Sequence, residues 1–486
     1  MAKSKPTKNG QKLGKASAEP LVQVDDPIYQ KYGQPIYLNE NGKIEVNQTS
    51  VVRKFAADEK IGVEPAKGTL VKYTQGTGEW SPAPSTMVKG DLAEFMRKMA
   101  EEYKQMSVAF KTKPIFLNSL KNMLEVVAPQ ITPQDQEGLV LVKNGVLDLT
   151  GNKPAVKEFS PDYGFTTALS LAYKPTAKCT RFLNDLLKPA LGPDDVSLVQ
   201  RYFGSVLLGT NASQRILVLK GTPGGGKSTL VSVLERVIGL DRISYLRSSH
   251  LDGRFEFGGF LGKRMLTGKD VPGDVLSVNG AKLLKSLVGG DLLEGEIKYV
   301  ADKKQLVGNF HVVIACNNNL RIALDGDDDA WRRRLLLVQF DRPKPAVPVV
   351  DLAEQLINEE AEGILAWLVE GAIQHSKELK QNGNFKLTAD QQLRIDDLID
   401  ASQSVSCFVR KGLELKADSK LTVQQIVDGY QAYCKDRKWV PLTERQVENA
   451  LGGIMLKELE VTKRNDVVLP DTEKAVRGFV GVGFVE

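Results

Sequence analysis

The stretch Gly221–Leu230, reading GTPGGGKSTL, narrows what this chain can fold into more than any other. It follows the apolar run Ile216-Leu217-Val218-Leu219 and precedes the helix-like Leu230–Val237. Strand, glycine-rich turn, Lys-Ser and helix come in the order a phosphate-binding loop needs. The glycines let the backbone curl so that successive N–H groups point at a phosphate. The helix start adds the positive end of its dipole. The candidate nucleotide-binding residues are Gly221, Thr222, Pro223, Gly224, Gly225, Gly226, Lys227, Ser228 and Thr229. Lys227 is expected at the β/γ-phosphates and Ser228 at Mg²⁺. The loop by itself implies a nucleoside triphosphate and names no reaction; a glycine-rich solvent turn before a helix is the plainer alternative.

A protein that cleaves a phosphate here needs an acid beside the Mg²⁺, at the end of a neighbouring strand. Arg264-Met265-Leu266-Thr267-Gly268-Lys269-Asp270 offers Asp270, with Asp274 as a substitute. A residue that orients the attacking water belongs on the next strand. His311–Cys316 runs into Asn317-Asn318-Asn319, and Asn317 comes first past the strand; three Asn also make a plain turn. Trp331-Arg332-Arg333-Arg334 then leads into the apolar run Leu335–Phe340. Arg333 or Arg334 fits a finger reaching into a neighbouring subunit's site in a ring ATPase. The alternative is a face ion-paired with Asp327-Asp328-Asp329. Between the acid and the Asn strand lie Lys285–Asp291 and a hairpin pattern around Lys298, Lys303 and Lys304. Lysines at a hairpin tip facing a ring's pore would hold the phosphates of a single strand.

Around this centre the chain reads as several domains. Its 486 residues suggest about three, and 42% hydrophobic with 26% charged residues is ordinary for a globular protein. No apolar run approaches the ~20 residues of a membrane span, so no membrane role is expected. Four scattered cysteines (Cys179, Cys316, Cys407, Cys434) argue for neither disulfides nor zinc, and fit a cytoplasmic location. Three histidines are too few for a histidine-rich metal centre. Residues 1–20 hold five lysines and one acid, a basic tail expected to be disordered. Residues 21–200 read as an α+β and helical region, with hairpins at Thr69–Trp80 and Gly138–Val146 and a helix over Phe182–Leu191. Residues 201–345 alternate strands and helices, which predicts a parallel α/β sheet with covered faces. A helical segment follows over 346–403. Residues 404–486 have the order helix, helix, hairpin of a winged helix. Its hairpin carries Lys463, Arg464, Lys474 and Arg477, which suit duplex DNA or a solvated face.

These residues resemble the superfamily 3 helicases, specifically the poxvirus-type and phage/plasmid primase-helicase group. The resemblance runs from about Gly138 to the C-terminus. It rests on Asn144–Leu149, Ser160–Tyr163, Gly221–Thr229, Lys285–Asp291 (K-x-L-x-G-G-D), Asn317, Trp331–Arg334 and Glu362–Trp367. It implies an AAA+ motor that uses ATP and Mg²⁺, assembles as hexameric rings, and translocates on single-stranded or forked DNA. It also implies a C-terminal winged helix and a role in replication of a phage, plasmid or mobile element. The chain departs from the family in its motif B acid, usually a Glu or an acidic pair and here Asp270 alone. No paired-carboxylate pattern stands in the first 110 or so residues, so primase activity is not expected. An origin-binding initiator whose ATPase switches assembly is the rival reading. A small-molecule P-loop kinase is disfavoured by the arginine run and the GGD motif.

Overall fold

The computed structural model describes residues 23–65, 68–104, 113–132, 136–246, 259–271, 278–295, 304–317, 320–324, 327–342, 349–468 and 474–485. They fall into two compact units, one running to residue 134 and including 159–167, the other made of 135–158 and 168–486.

In the first unit three strands, Ile61–Glu64, Thr69–Thr74 and Glu79–Pro82, form an antiparallel sheet, the last two being the hairpin anticipated over 69–80. Helices Gln48–Asp58, Ser85–Glu102 and Pro114–Val127 accompany it. They bury Phe55, Leu92, Met96, Leu120 and Leu124 completely. Leu92 with Met96, and Leu120 with Leu124, are four residues apart, so each pair shares one face of its helix.

The second unit is α/β. Its five-stranded parallel sheet comprises β1 (Ile216–Gly221), β2 (Ile243–Tyr245), β3 (Met265–Val271), β4 (His311–Cys316) and β5 (Leu335–Phe340), in the order β2-β3-β4-β1-β5. Both faces are covered, and successive residues of a strand join opposite cores with period two. Leu217, Leu219, Val313, Leu336 and Val338 join one core. Ile216, Val218, Val312, Ile314 and Leu337 join the other. Near-continuous apolar strands are what a sheet covered on both sides requires.

Helices of this unit include α1 (Pro193–Leu208), α2 (Lys227–Ile238), α3 (Val278–Gly289), α4 (Asp328–Arg332), α5 (Leu352–Asn382) and α6 (Ala389–Ser402). Residues 135–158, with the hairpin Leu139–Val142 and Gly145–Asp148, share the first core with β1 through Val140, Val142, Leu147 and Leu149. The Phe182–Leu191 helix expected from the sequence opens as a π-helix over Phe182–Leu187. Glu360 of α5 holds its start, accepting from the Arg181 and Phe182 N–H groups at 2.9 and 2.8 Å.

The C-terminal part contains α7 (Ser404–Gly412), β6 (Leu413–Thr422), α8 (Val423–Asp436), α9 (Glu444–Leu459), β7 (Arg464–Val467) and β8 (Val476–Phe484). The expected two-stranded hairpin is a three-stranded antiparallel sheet, β6-β8-β7. The extra strand, β6, is missed by pattern because its sequence LELKADSKLT is mostly polar and exposed. Val447, Leu451 and Met455 are completely buried, the stripe that i, i+4, i+8 spacing predicts for α9.

Candidate functional site

A cavity of about 520 Å³ lies at the C-terminal end of β1. Residues 223–229 of the glycine-rich loop line it together with Asp270, Arg342 and an apolar wall that includes Leu186, Phe340 and Leu352. The loop follows from its backbone. A Cβ at Gly221 would stand 2.4 Å from the Phe340 carbonyl oxygen, so only glycine lets β1 pass β5 there. Gly226 enters α2 at φ +92°, a left-handed conformation that costs glycine little. Lys227 is buried, its Nζ donating to the carbonyls of Gly221 and Thr222, each at 2.9 Å. Those two residues thus frame the lysine, while 223–229 face the cavity.

The order of the strands differs from the sequence expectation. The sequence puts the acid on a strand neighbouring the loop strand and Asn317 on the next one. In the sheet β4 pairs with β1, and β3 lies one strand further out. Asp270 still reaches the cavity. Between the pairs Gly268↔Ile314 and Val271↔Cys316, β3 carries one residue more than β4, a bulge. Asp270 within it has φ +53°, the left-handed region that a residue with a Cβ seldom occupies. Bulges re-aim side chains at functional sites. Asn317 is exposed just past β4, whose Cys316 pairs with Lys220 of β1. It does not line the cavity.

The two candidate fingers differ sharply. Arg333 is exposed. Arg334 is buried and donates to the Ala330 carbonyl at 3.0 Å; burial, with Arg333 adjacent, lowers its pKa. Arg332 is ion-paired with Asp396 of α6. Lys285 of the K-x-L-x-G-G-D stretch pairs with Asp327 at 2.7 Å, tying α3 to the start of α4. Its Gly290 and Asp291 lead into strand Leu292–Gly295, which pairs antiparallel with Lys304–Val307. Lys298 and Lys303, Asp274, and the tail over 1–20 lie outside the described residues, and Lys304 is described in its backbone only. Lys463 and Arg464 are exposed beside β7, Arg464 paired with Asp466.

Sequence reasoning missed much of the cavity's lining, Pro189, Ala190 and Phe340 included. Arg342, two residues past the end of β5, lines it and donates to the Lys188 carbonyl at 2.7 Å. The π-helix supplies Asp185 and Leu186, and the approach to α5 supplies Val349 and Leu352. An arginine shortly after an apolar strand was the one legible signal.

Among the described residues no group of three or more His, Cys, Asp or Glu could hold a metal. Side-chain oxygens in the cavity lining include the Ser228 and Thr229 hydroxyls and the Asp185 and Asp270 carboxylates. Such a hard-oxygen set fits Mg²⁺, which commonly binds one or two carboxylates together with substrate phosphates. No helix among the described residues is long and apolar enough to cross a membrane.

Comparison with known proteins gives one family match. Residues 53–188 match the family described as D5 N terminal like, a segment ending just past the π-helix. No curated protein matches. Among solved structures, the apo C-terminal region of NrS-1 is 13% identical, covering 90% of this chain and 100% of that one at a TM-score of 0.49. The A form of the same region is 12% identical, covering 88% and 98%, at a TM-score of 0.44.

Proposed function

We propose that this chain is an ATP-driven DNA helicase or translocase acting in replication of a phage, plasmid or mobile element. In this reading the second unit carries an AAA+ motor of superfamily 3 type and a C-terminal winged helix. The observation that carries the proposal is the cavity in which residues 223–229 meet Asp270 at the end of a parallel sheet. The match of residues 53–188 to a D5 N-terminal-like family supports the replication setting.

The residues divide the work by chemistry. Backbone N–H groups of the loop and the start of α2 receive the phosphates. Lys227 exchanges its carbonyl partners for the β/γ-phosphates. Ser228 and Asp270 hold Mg²⁺, which when bound offsets charge developing on the phosphates. The apolar wall around Leu186, Phe340 and Leu352 takes the base. Arg333, exposed, is the finger offered to a neighbouring subunit, and Asn317 orients water once that subunit closes the site. DNA contacts fall to Lys298, Lys303 and Lys304 in the motor and to Lys463 and Arg464 in the C-terminal part. Strand separation on forked DNA, with ATP and Mg²⁺ against EDTA, tests the reading. No separation, together with hydrolysis indifferent to DNA, would overturn it.

The helix pair α8–α9, followed by the β7–β8 strands, favours one second reading, an initiator that marks an origin. Footprinting on duplex from the element's own origin separates the two. A protected site without unwinding selects the initiator.

A further inference from the structure

We propose that Glu235, two turns along α2 from Ser228, is a positioning residue for Asp270 and acts through Lys269. The inference rests on reading the cavity as a Mg²⁺-dependent nucleotide site. It starts from the strained backbone of Asp270, at φ +53° in the bulge of β3. A left-handed residue with a Cβ persists only when its surroundings hold it.

Glu235 supplies that hold. Its side chain is 2% exposed, and a carboxylate so buried is costly unless fully paired. Both of its oxygens are committed to β3. Oε1 accepts from the Thr267 hydroxyl at 2.6 Å. Oε2 accepts from Lys269 Nζ at 2.6 Å. Lys269 also donates to Ser232 Oγ at 2.9 Å. One carboxylate therefore grips residues i and i+2 of the strand, which share a face, and Asp270 is the next residue along.

Two consequences follow. First, Glu235 and Ser232 stand on the helix whose first turn carries Lys227 and Ser228. The same rigid helix thus sets both oxygen ligands, one directly and one through Lys269. Second, the Lys269 ammonium is turned away from its neighbour. Without Glu235 that cation, one residue from Asp270, is freed to compete with the metal for the carboxylate. Thr267, Lys269 and Asp270 are contiguous, but Glu235 lies 34 residues from Lys269, so the pairing shows only in the fold.

The test uses the full chain and a fluorescent, non-hydrolysable ATP analogue. Its affinity is measured with Mg²⁺ and with EDTA, alongside the Mg²⁺ concentration giving half-maximal hydrolysis. Substituting an outer partner of a metal ligand typically costs 10–100-fold. Glu235→Gln should therefore reduce the Mg²⁺-dependent gain in affinity about tenfold and raise the half-saturating Mg²⁺ about tenfold, with affinity in EDTA unchanged. Lys269→Met should reproduce this at a partly exposed position if Glu235→Gln fails to fold. Lys269→Arg should restore it, and Asp270→Asn should abolish the gain. A lower melting temperature with an unaltered Mg²⁺ gain in both Glu235→Gln and Lys269→Met would make Glu235 merely structural and overturn the proposal. An unsubstituted chain without any Mg²⁺ gain or hydrolysis would instead overturn the reading of the cavity, and this inference with it.

Discussion

Lys227 commits its ammonium to two carbonyls of its own loop, at 2.9 Å each. It is therefore held where an incoming phosphate can replace weaker, neutral acceptors with charged ones. Lys227→Ala should lower ATP turnover by about 10²–10³-fold, the usual loss of one preorganised donor. A steady-state ATPase assay checks it, and unchanged turnover would remove the loop from its central role. The arginine pair allows a sharper prediction. Arg333 is exposed and Arg334 is anchored on Ala330. Arg333→Ala should cut hydrolysis by about 10³-fold with the melting temperature unchanged. Mixing it with Lys227→Ala subunits should recover part of the activity, because each mutant completes the other's site. Arg334→Ala should instead lower stability, by roughly 2 kcal/mol, which denaturation reads directly. Equal effects of the two substitutions would refute a finger at Arg333.

Elements differ in how plainly the sequence announces them. Helices α6, α8 and α9 each begin with a threonine that takes part in a capping box, through Thr388 with Gln391, Thr422 with Gln425 and Thr443 with Gln446. The T-x-x-Q pattern needs no tertiary information. Thr443→Ala should cost about 1 kcal/mol, seen as earlier urea unfolding of the C-terminal part, with ATP turnover unaltered. Strands β1, β4 and β5 were equally legible, since a buried parallel strand must be a run of apolar side chains. The strand β2, Ile243–Tyr245, is too short to stand out, and β6 is a polar edge whose partner β8 lies some sixty residues away. The π-helix at Phe182–Leu187 is invisible for another reason. Its residues suit an ordinary helix, and the N–H groups at its start are taken by Glu360, 178 and 179 residues away in sequence. Of the site, the sequence displays the loop and Asp270. The order of the sheet, which inserts β4 between them, and the bulge that brings Asp270 back depend on pairing across the whole unit.

At the scale of the molecule, one feature of the second unit couples its core to pH. His311 on β4 and His375 on α5 are buried, His311 against Tyr202 and His375 stacked on Phe385 at 4.0 Å. Neither Nδ1 has a partner among the described residues. Burial holds His311 down to about 3, with His375 adding to the depression. Burial, with Arg201 nearby, holds His375 down to about 4. Both rings are therefore neutral in the fold at ordinary pH, whereas in the unfolded chain they take protons as pH falls through about 6.5. The unfolded state thus binds more protons over the whole interval from about 6.5 down to the folded values, so stability rises with pH across it and is lost on acidification. Each histidine should remove about 1.4 kcal/mol per pH unit below 6.5, or about 2 kcal/mol by pH 5. Carboxylates add to acid sensitivity mainly at lower pH, so the window between 6.5 and 5 isolates the imidazoles. Urea midpoints at pH 7.5, 6.5, 5.8 and 5.0 should fall steeply over the last three points. His375→Gln, which cannot titrate, should take away about half of that fall even if it lowers the midpoint at pH 7.5. An undiminished slope in His375→Gln would place the acid sensitivity elsewhere in the chain.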